Sequence, residues 1–231
     1  MNFHPEATPP RWLLALEFTA LYLVFPLLVY FNLIPLPKLI LLSVITIYTV
    51  LAAHRQMVMG DKKQNAYVLP KINRWKNWLH PYPVTRYEIY RVLIRFVIIG
   101  IVILMYAKNT YPEHFMVMPF ERTGLWLLIM ALYPFMSALP QEWLFRNFLF
   151  LRYKPLISSE KVMALVSIAV FGYLHIIYDN ATAVAMTFGG GVLFTYTYLR
   201  TRSLWVVSLE HALYGMLIFT SGLGQYFYEG M

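Results

Sequence analysis

The chain has 231 residues, 59% of them hydrophobic, 17% aromatic and only 13% charged, with a mean hydropathy of +0.55. Those values exclude an ordinary soluble domain and point to a polytopic membrane protein. There is no cysteine, which rules out disulfides, thiolate nucleophiles and cysteine-based zinc sites.

Seven apolar segments follow one another along the chain, over residues 13–34, 36–53, 87–107, 125–151, 162–177, 181–199 and 204–219. The expected fold class is all-α: one membrane domain over 1–231, a helix bundle of about seven transmembrane helices plus a short interfacial helix. A straight span needs about 20 residues, so the shorter segments borrow flanking residues or run obliquely. The first segment carries Glu17, has no small-residue cleavage site behind it and is too long for a signal-peptide core, so it reads as a retained helix.

After the second segment the charge changes. Nine of the 19 Lys and Arg fall between Arg55 and Arg95, against Asp61 and Glu88 on the acidic side. Lying between two apolar spans, the stretch 56–86 reads as a basic cytoplasmic loop obeying the positive-inside rule, with no nucleic-acid partner. Within it Ile72, Trp75 and Leu79 recur at helical spacing while Lys71, Arg74 and Lys76 lie elsewhere, the pattern of a short helix in the headgroup region. Pro81 and Pro83 end that helix before the third span. The same rule puts Arg152, Lys154, Lys161, Arg200 and Arg202 in the cytoplasm, and Asp179, Asn180 and the stretch 108–122 outside. The protein is then integral to the cell (inner) membrane, with its N-terminus cytoplasmic and its C-terminus outside.

The fourth segment holds Pro134 and Pro140, and Pro140 immediately precedes Gln141 and Glu142, so a kink or local break is expected there. Gly189, Gly190 and Gly191 interrupt the sixth segment, where small residues let neighbouring backbones approach closely.

Ionisable residues lie inside these spans: Glu142 and Arg146 in the fourth, His175 in the fifth, Glu210 and His211 in the seventh. Each costs roughly 2.5–3.5 kcal/mol at membrane depth unless it is paired or used. Glu142 and Arg146 are four apart in the acid-first order that favours pairing, so a structural ion pair accounts for them as well as a site does. His175 follows Phe171 by four residues and shares its helix face. Counted from the basic ends of their spans, His211 lies about 13 Å deep, Glu142 about 15 Å and His175 about 21 Å, depths compatible with one shared cavity. A carboxylate and two imidazoles can activate water, bind zinc, or relay protons in a transporter, and spacing leaves all three open. Against a transporter stands the lack of paired halves with matching interrupted helices. Trp143 and Phe145 beside the site suit either an apolar substrate groove or bundle packing.

The motifs themselves carry a resemblance. Residues 141–146, Gln-Glu-Trp-Leu-Phe-Arg, resemble the Glu-Glu-x-x-x-Arg motif of the CAAX-protease and bacteriocin-processing family, the intramembrane glutamate endopeptidases that include the type II CAAX prenyl proteases. Phe171 to His175 matches the family's Phe-x-x-x-His. His211, after Ser203, Leu204 and Trp205, resembles the start of its third motif, His-x-x-x-Asn or Asp, and Phe188 to Gly191 fits its glycine-rich stretch. The motif region spans 125–219.

What the resemblance implies is a helical bundle around a water-filled cavity that opens toward the cytoplasm. There a motif glutamate and a histidine polarise a water, and a second histidine with the Asn stabilises the oxyanion. Carried over by position, Glu142, His175 and His211 are the catalytic candidates, with Gln141, Arg146, Phe171 and Glu210 in support and no cofactor or metal. The implied partners are the bilayer and a membrane-proximal peptide or protein substrate, such as a lipidated or bacteriocin-like peptide. Two positions depart from the pattern: Gln141 stands at the first motif glutamate, and Gly215 at the terminal Asn or Asp. Glu142 could replace the base if the break near Pro140 turns it into the cavity, and Glu210, Tyr214 or Asn147 could supply the missing polar group. A catalytically altered relative, acting as a membrane scaffold or peptide-binding protein, is the alternative these departures raise.

Overall fold

A computed structural model describes residues 9–63 and 84–227. The interfacial helix read around Ile72, Trp75 and Leu79 lies outside the described residues. The rest is an all-helical polytopic bundle, with no strand among the described residues. Its long helices are α1 (Arg11–Tyr30), α2 (Lys38–Lys63), α3 (Arg86–Thr110), α4 (Thr123–Arg152), α5 (Glu160–Tyr178), α6 (Ala181–Thr201) and α7 (Leu204–Ser221). Six of them, α1 to α5 and α7, are long and apolar enough to cross a membrane. At 21 residues α6 has the length, but its threonines and three adjacent glycines dilute its hydropathy, so the seven apolar segments yield six spans on this measure.

Side chains on the outer helices show which solvent the bundle suits. Ile47, Ile94, Val102 and Leu165 are each more than 60% exposed, an arrangement favourable in lipid and costly in water. α7 is the central helix, 56% buried, packing against α3, α4 and α6.

Short side chains start the C-terminal helices. Ser159 Oγ accepts from the Val162 N–H, Asn180 Oδ1 from Thr182 and Ala183, and Ser203 Oγ from Val206, each satisfying a backbone donor that no helical turn can reach. α7 ends at Gly222, with φ 93°, where a Cβ would collide with the His114 carbonyl. Glycine is required there by backbone and space together.

The bundle has two distinct ends. At one, Arg152 of α4 binds Glu17 of α1 at 2.7 Å and Gln56 of α2 at 3.0 Å, Arg200 binds Glu88 at 2.9 Å, and Arg202 pairs with Glu160. At the other, the Tyr30 hydroxyl donates to Asp179 at 3.3 Å, Lys38 lies 4.5 Å over the Tyr178 ring, and Trp126 Nε1 donates to Thr220 at 3.0 Å. α1 starts at the basic end and α7 finishes at the other. α6 runs the full distance, from Asn180 to the Arg200–Glu88 pair.

The break expected at Pro140 takes a different form. α4 continues through both prolines but widens into π turns over Pro134–Ala138 and Trp143–Phe148, flanking Leu139–Glu142. Proline removes a donor and crowds the preceding turn, which a wider turn accommodates. Neighbouring helices use the altered backbone: the Tyr22 hydroxyl and Ser167 Oγ each donate at 2.8 Å, to the carbonyls of Leu144 and Phe145. Inside the bundle these bonds replace water as partner.

Candidate active site

Gln141 and Glu142 sit between the two π turns and diverge, as neighbouring helical positions must. Glu142 is fully buried and is no part of the cavity wall. Arg146, one turn on and also fully buried, pairs with it at 3.2 Å. On its other side Glu142 Oε1 accepts from His211 Nδ1 at 2.7 Å. The arginine is held in turn by the Gly191 carbonyl at 3.3 Å and by the Phe171 ring, 4.3 Å from its Cζ. A buried guanidinium thus has an anion, a carbonyl and an aromatic face, the partners that make its burial tolerable.

This overturns one expectation. The bend at Pro140 does not bring Glu142 into the cavity; two donors, Arg146 and His211, keep it behind the wall. Gln141 takes the wall position instead, its Nε2 donating to Ser137 Oγ at 2.8 Å.

The two imidazoles share a tautomer. His211 donates Nδ1–H to Glu142, and its Nε2 lies 3.2 Å from the Tyr133 hydroxyl. His175 directs Nδ1 at the Phe171 carbonyl at 2.7 Å, which can only accept, so that nitrogen carries the proton and Nε2 is the free base. Phe171 lies between them, 5.0 Å from the His175 ring and 5.7 Å from that of His211. Phe194 stacks on His211 at 4.6 Å. Both histidines line one cavity of about 1230 Å³ whose wall includes Tyr133, Ser137, Gln141 and Gly215. Glu142, His175 and His211 do not gather as a three-ligand metal set.

Gly215 explains a residue that the motif reading missed. A Cβ there would overlap the Tyr133 ring, so the tyrosine occupies the space of the absent Asn or Asp side chain and brings a hydroxyl to His211. The available signal was periodicity, since Tyr133, Ser137 and Gln141 recur every four residues on one face of α4. Two of the three substitutes considered from sequence, Glu210 and Asn147, go elsewhere. Glu210 turns from the site to pair with Arg95 of α3, which also reaches Thr197. Asn147 Oδ1 accepts from Tyr198 at 3.2 Å. Tyr214 lines the cavity and packs edge-on to Phe96. Of the two aromatic residues beside the motif, Phe145 lines the cavity, whereas Trp143 is buried and donates to Thr49 at 3.1 Å.

The cavity wall reaches Asn32, Lys38, Tyr178, Asp179 and Phe227 at the bundle end away from the basic turns, and none of Arg152, Lys154, Lys161, Arg200 or Arg202 lines it.

Residues 123–217 match the family model described as type II CAAX prenyl endopeptidase Rce1-like. No curated protein and no solved structure matches the chain.

Proposed function

Through residues 123–217 the chain belongs to the CAAX-protease and bacteriocin-processing family, and on that premise we propose that it is a membrane-embedded endopeptidase with His175 as general base. The observation that carries this reading is the matched pair of imidazoles, each committing Nδ1 to an internal acceptor and each on the wall of one cavity. In the proposed hydrolysis His175 Nε2 takes a proton from water while the water oxygen bonds to the peptide carbonyl carbon. As the C–N bond breaks, that proton passes to the leaving nitrogen, giving a carboxylic acid and an amine that then ionise. Glu142 fixes the His211 ring through Nδ1–H, and the Tyr133 hydroxyl beside His211 Nε2 donates to the oxyanion. Gln141 cannot replace the base, because an amide has no useful basicity; it offers a hydrogen-bonding group on the wall. Arg146 and Phe171 are positioning residues acting through Glu142 and the two rings. The mechanism uses no cofactor. The substrate class is a membrane-associated peptide, prenylated or otherwise lipidated, with its apolar part in the cavity.

A reconstituted sample with a fluorogenic lipidated peptide tests this. His175→Ala should lower turnover by about 10²-fold or more, and Tyr133→Phe should lower kcat by about 10²-fold with little change in KM. Turnover surviving His175→Ala removes that residue from the reaction.

Gln141 favours a second reading, a relative that binds such peptides without cleaving them, because an amide stands at the position the family gives to its water activator. In that case the parent retains the peptide uncleaved, and Gln141→Glu creates turnover. A parent that already cleaves rules it out.

A further inference from the structure

We propose that the groove between α3 and α6, at the basic end of the bundle, binds the headgroup of an anionic phospholipid, with Arg91 holding its phosphate. The groove shares only Ile99 with the wall of the histidine cavity, and the assignment stands whether or not the chain cleaves peptides.

Both helices pack against α7 and leave between them a groove of about 460 Å³, within the size range of small-molecule sites. Three arginines line it, and two are already paired: Arg200 with Glu88 at 2.9 Å, and Arg95 with Glu210. Arg91 is the third. Its Nη1 is buried and, among the described residues, has no hydrogen-bond partner. A buried guanidinium N–H is costly without an acceptor, and the groove is where an acceptor can reach it. The Tyr87 ring lies 5.0 Å from the Arg91 Cζ, holding the guanidinium by its face and leaving the donor fork for two phosphate oxygens.

Depth selects a lipid among anions. Arg91 lies about 7.5 Å along α3 from Arg86, and Arg200 is next to the last residue of α6. The headgroup layer is about 5–8 Å thick on each side of a bilayer. One and two turns deeper, Ile94 and Ile98 line the same groove and are 61% and 60% exposed, so acyl chains can lie against them below the phosphate. Tyr196 flanks the opening, half exposed, an amphipathic ring of the kind enriched at headgroup level. A free phosphate gains nothing from the apolar strip, whereas a lipid uses both parts. A zwitterionic lipid offers the same phosphate but adds its own cation to a groove already rich in them.

Native mass spectrometry of protein released from nanodiscs made of equal parts phosphatidylglycerol and phosphatidylcholine reads the retained lipid. The parent should retain phosphatidylglycerol about tenfold over phosphatidylcholine, and Arg91→Gln should bring the two to parity. Lys161→Gln removes an exposed charge at the same end and should leave the preference intact, which separates a site from general attraction. A second measurement keeps Arg91 in place. In this cysteine-free chain, a fluorophore at Ile94→Cys should be quenched more by spin-labelled phosphatidylglycerol than by spin-labelled phosphatidylcholine. One at Leu165→Cys, exposed on α5, should be quenched equally by both. Parity in the parent, a preference that survives Arg91→Gln, an equal loss with Lys161→Gln, or equal quenching at Ile94→Cys overturns the proposal. So does displacement of the lipid by inorganic phosphate or by an acidic peptide, which would give Arg91 a soluble partner. These measurements need no turnover, so their failure leaves the endopeptidase reading untouched.

Discussion

Tyr133 and Gly215 make a single unit, since the ring of one fills the space that a side chain on the other would take. Restoring the family pattern by Gly215→Asn alone should therefore overpack the site and cost about 1–3 kcal/mol, seen as a lower unfolding temperature in detergent. Adding Tyr133→Ala should recover much of that loss, because the two changes share one volume and are not additive. A single mutant as stable as the parent would mean that the tyrosine moves aside freely, and its proposed role beside the oxyanion would be lost with it. Glu142 makes a related point. From the motif it looks like a spare base, yet Arg146 and His211 both donate to it, and of these His211 lines the cavity.

At the scale of elements, glycines in the two helices behind the site do unequal work. Gly172 on α5 lies where a Cβ would come within 2.6 Å of the Phe188 ring on α6. Gly172→Ala should separate these helices and destabilise the fold by about 1–3 kcal/mol. Gly189 on α6 has nothing within 4 Å of its Cβ position, so Gly189→Ala should be neutral or stabilising by up to about 1 kcal/mol through helix propensity. Equal effects in thermal denaturation would refute the close α5–α6 packing at Gly172. The glycine run reads as one motif in sequence. In space the tight approach falls at Gly172, on the neighbouring helix, and Gly191 lends its carbonyl to Arg146.

For the whole molecule, ion pairs between helices matter because lipid offers no alternative partner. Arg95 on α3 and Glu210 on α7 form one such tie, and Glu210 is 0% exposed. Removing the cation by Arg95→Ala should cost about 3–5 kcal/mol, since the carboxylate is left buried and unpaired. Arg95→Ala with Glu210→Leu should be far less damaging. Denaturation midpoints of the single and double variants check this, and equal losses would mean that the pair does not hold α3 to α7. Glu210 also shows how far sequence reading extended. It adjoins His211 in the chain and so looked like part of the site, but neighbours on a helix point about 100° apart, and here they face different partners.

Composition and charge spacing alone determined the membrane bundle, the apolar segments and the basic end, because hydropathy and loop charge act locally and need no knowledge of neighbours. Order and spacing along three spans likewise made the family resemblance legible. Tertiary structure alone decided that Gln141 and not Glu142 meets the cavity, that Tyr133 fills the gap at Gly215, and that the cavity reaches the end away from the basic turns. Those outcomes depend on the rotation of each helix, which the π turns in α4 alter, and on which volumes its neighbours leave empty. Neither quantity is written in the spacing of one segment.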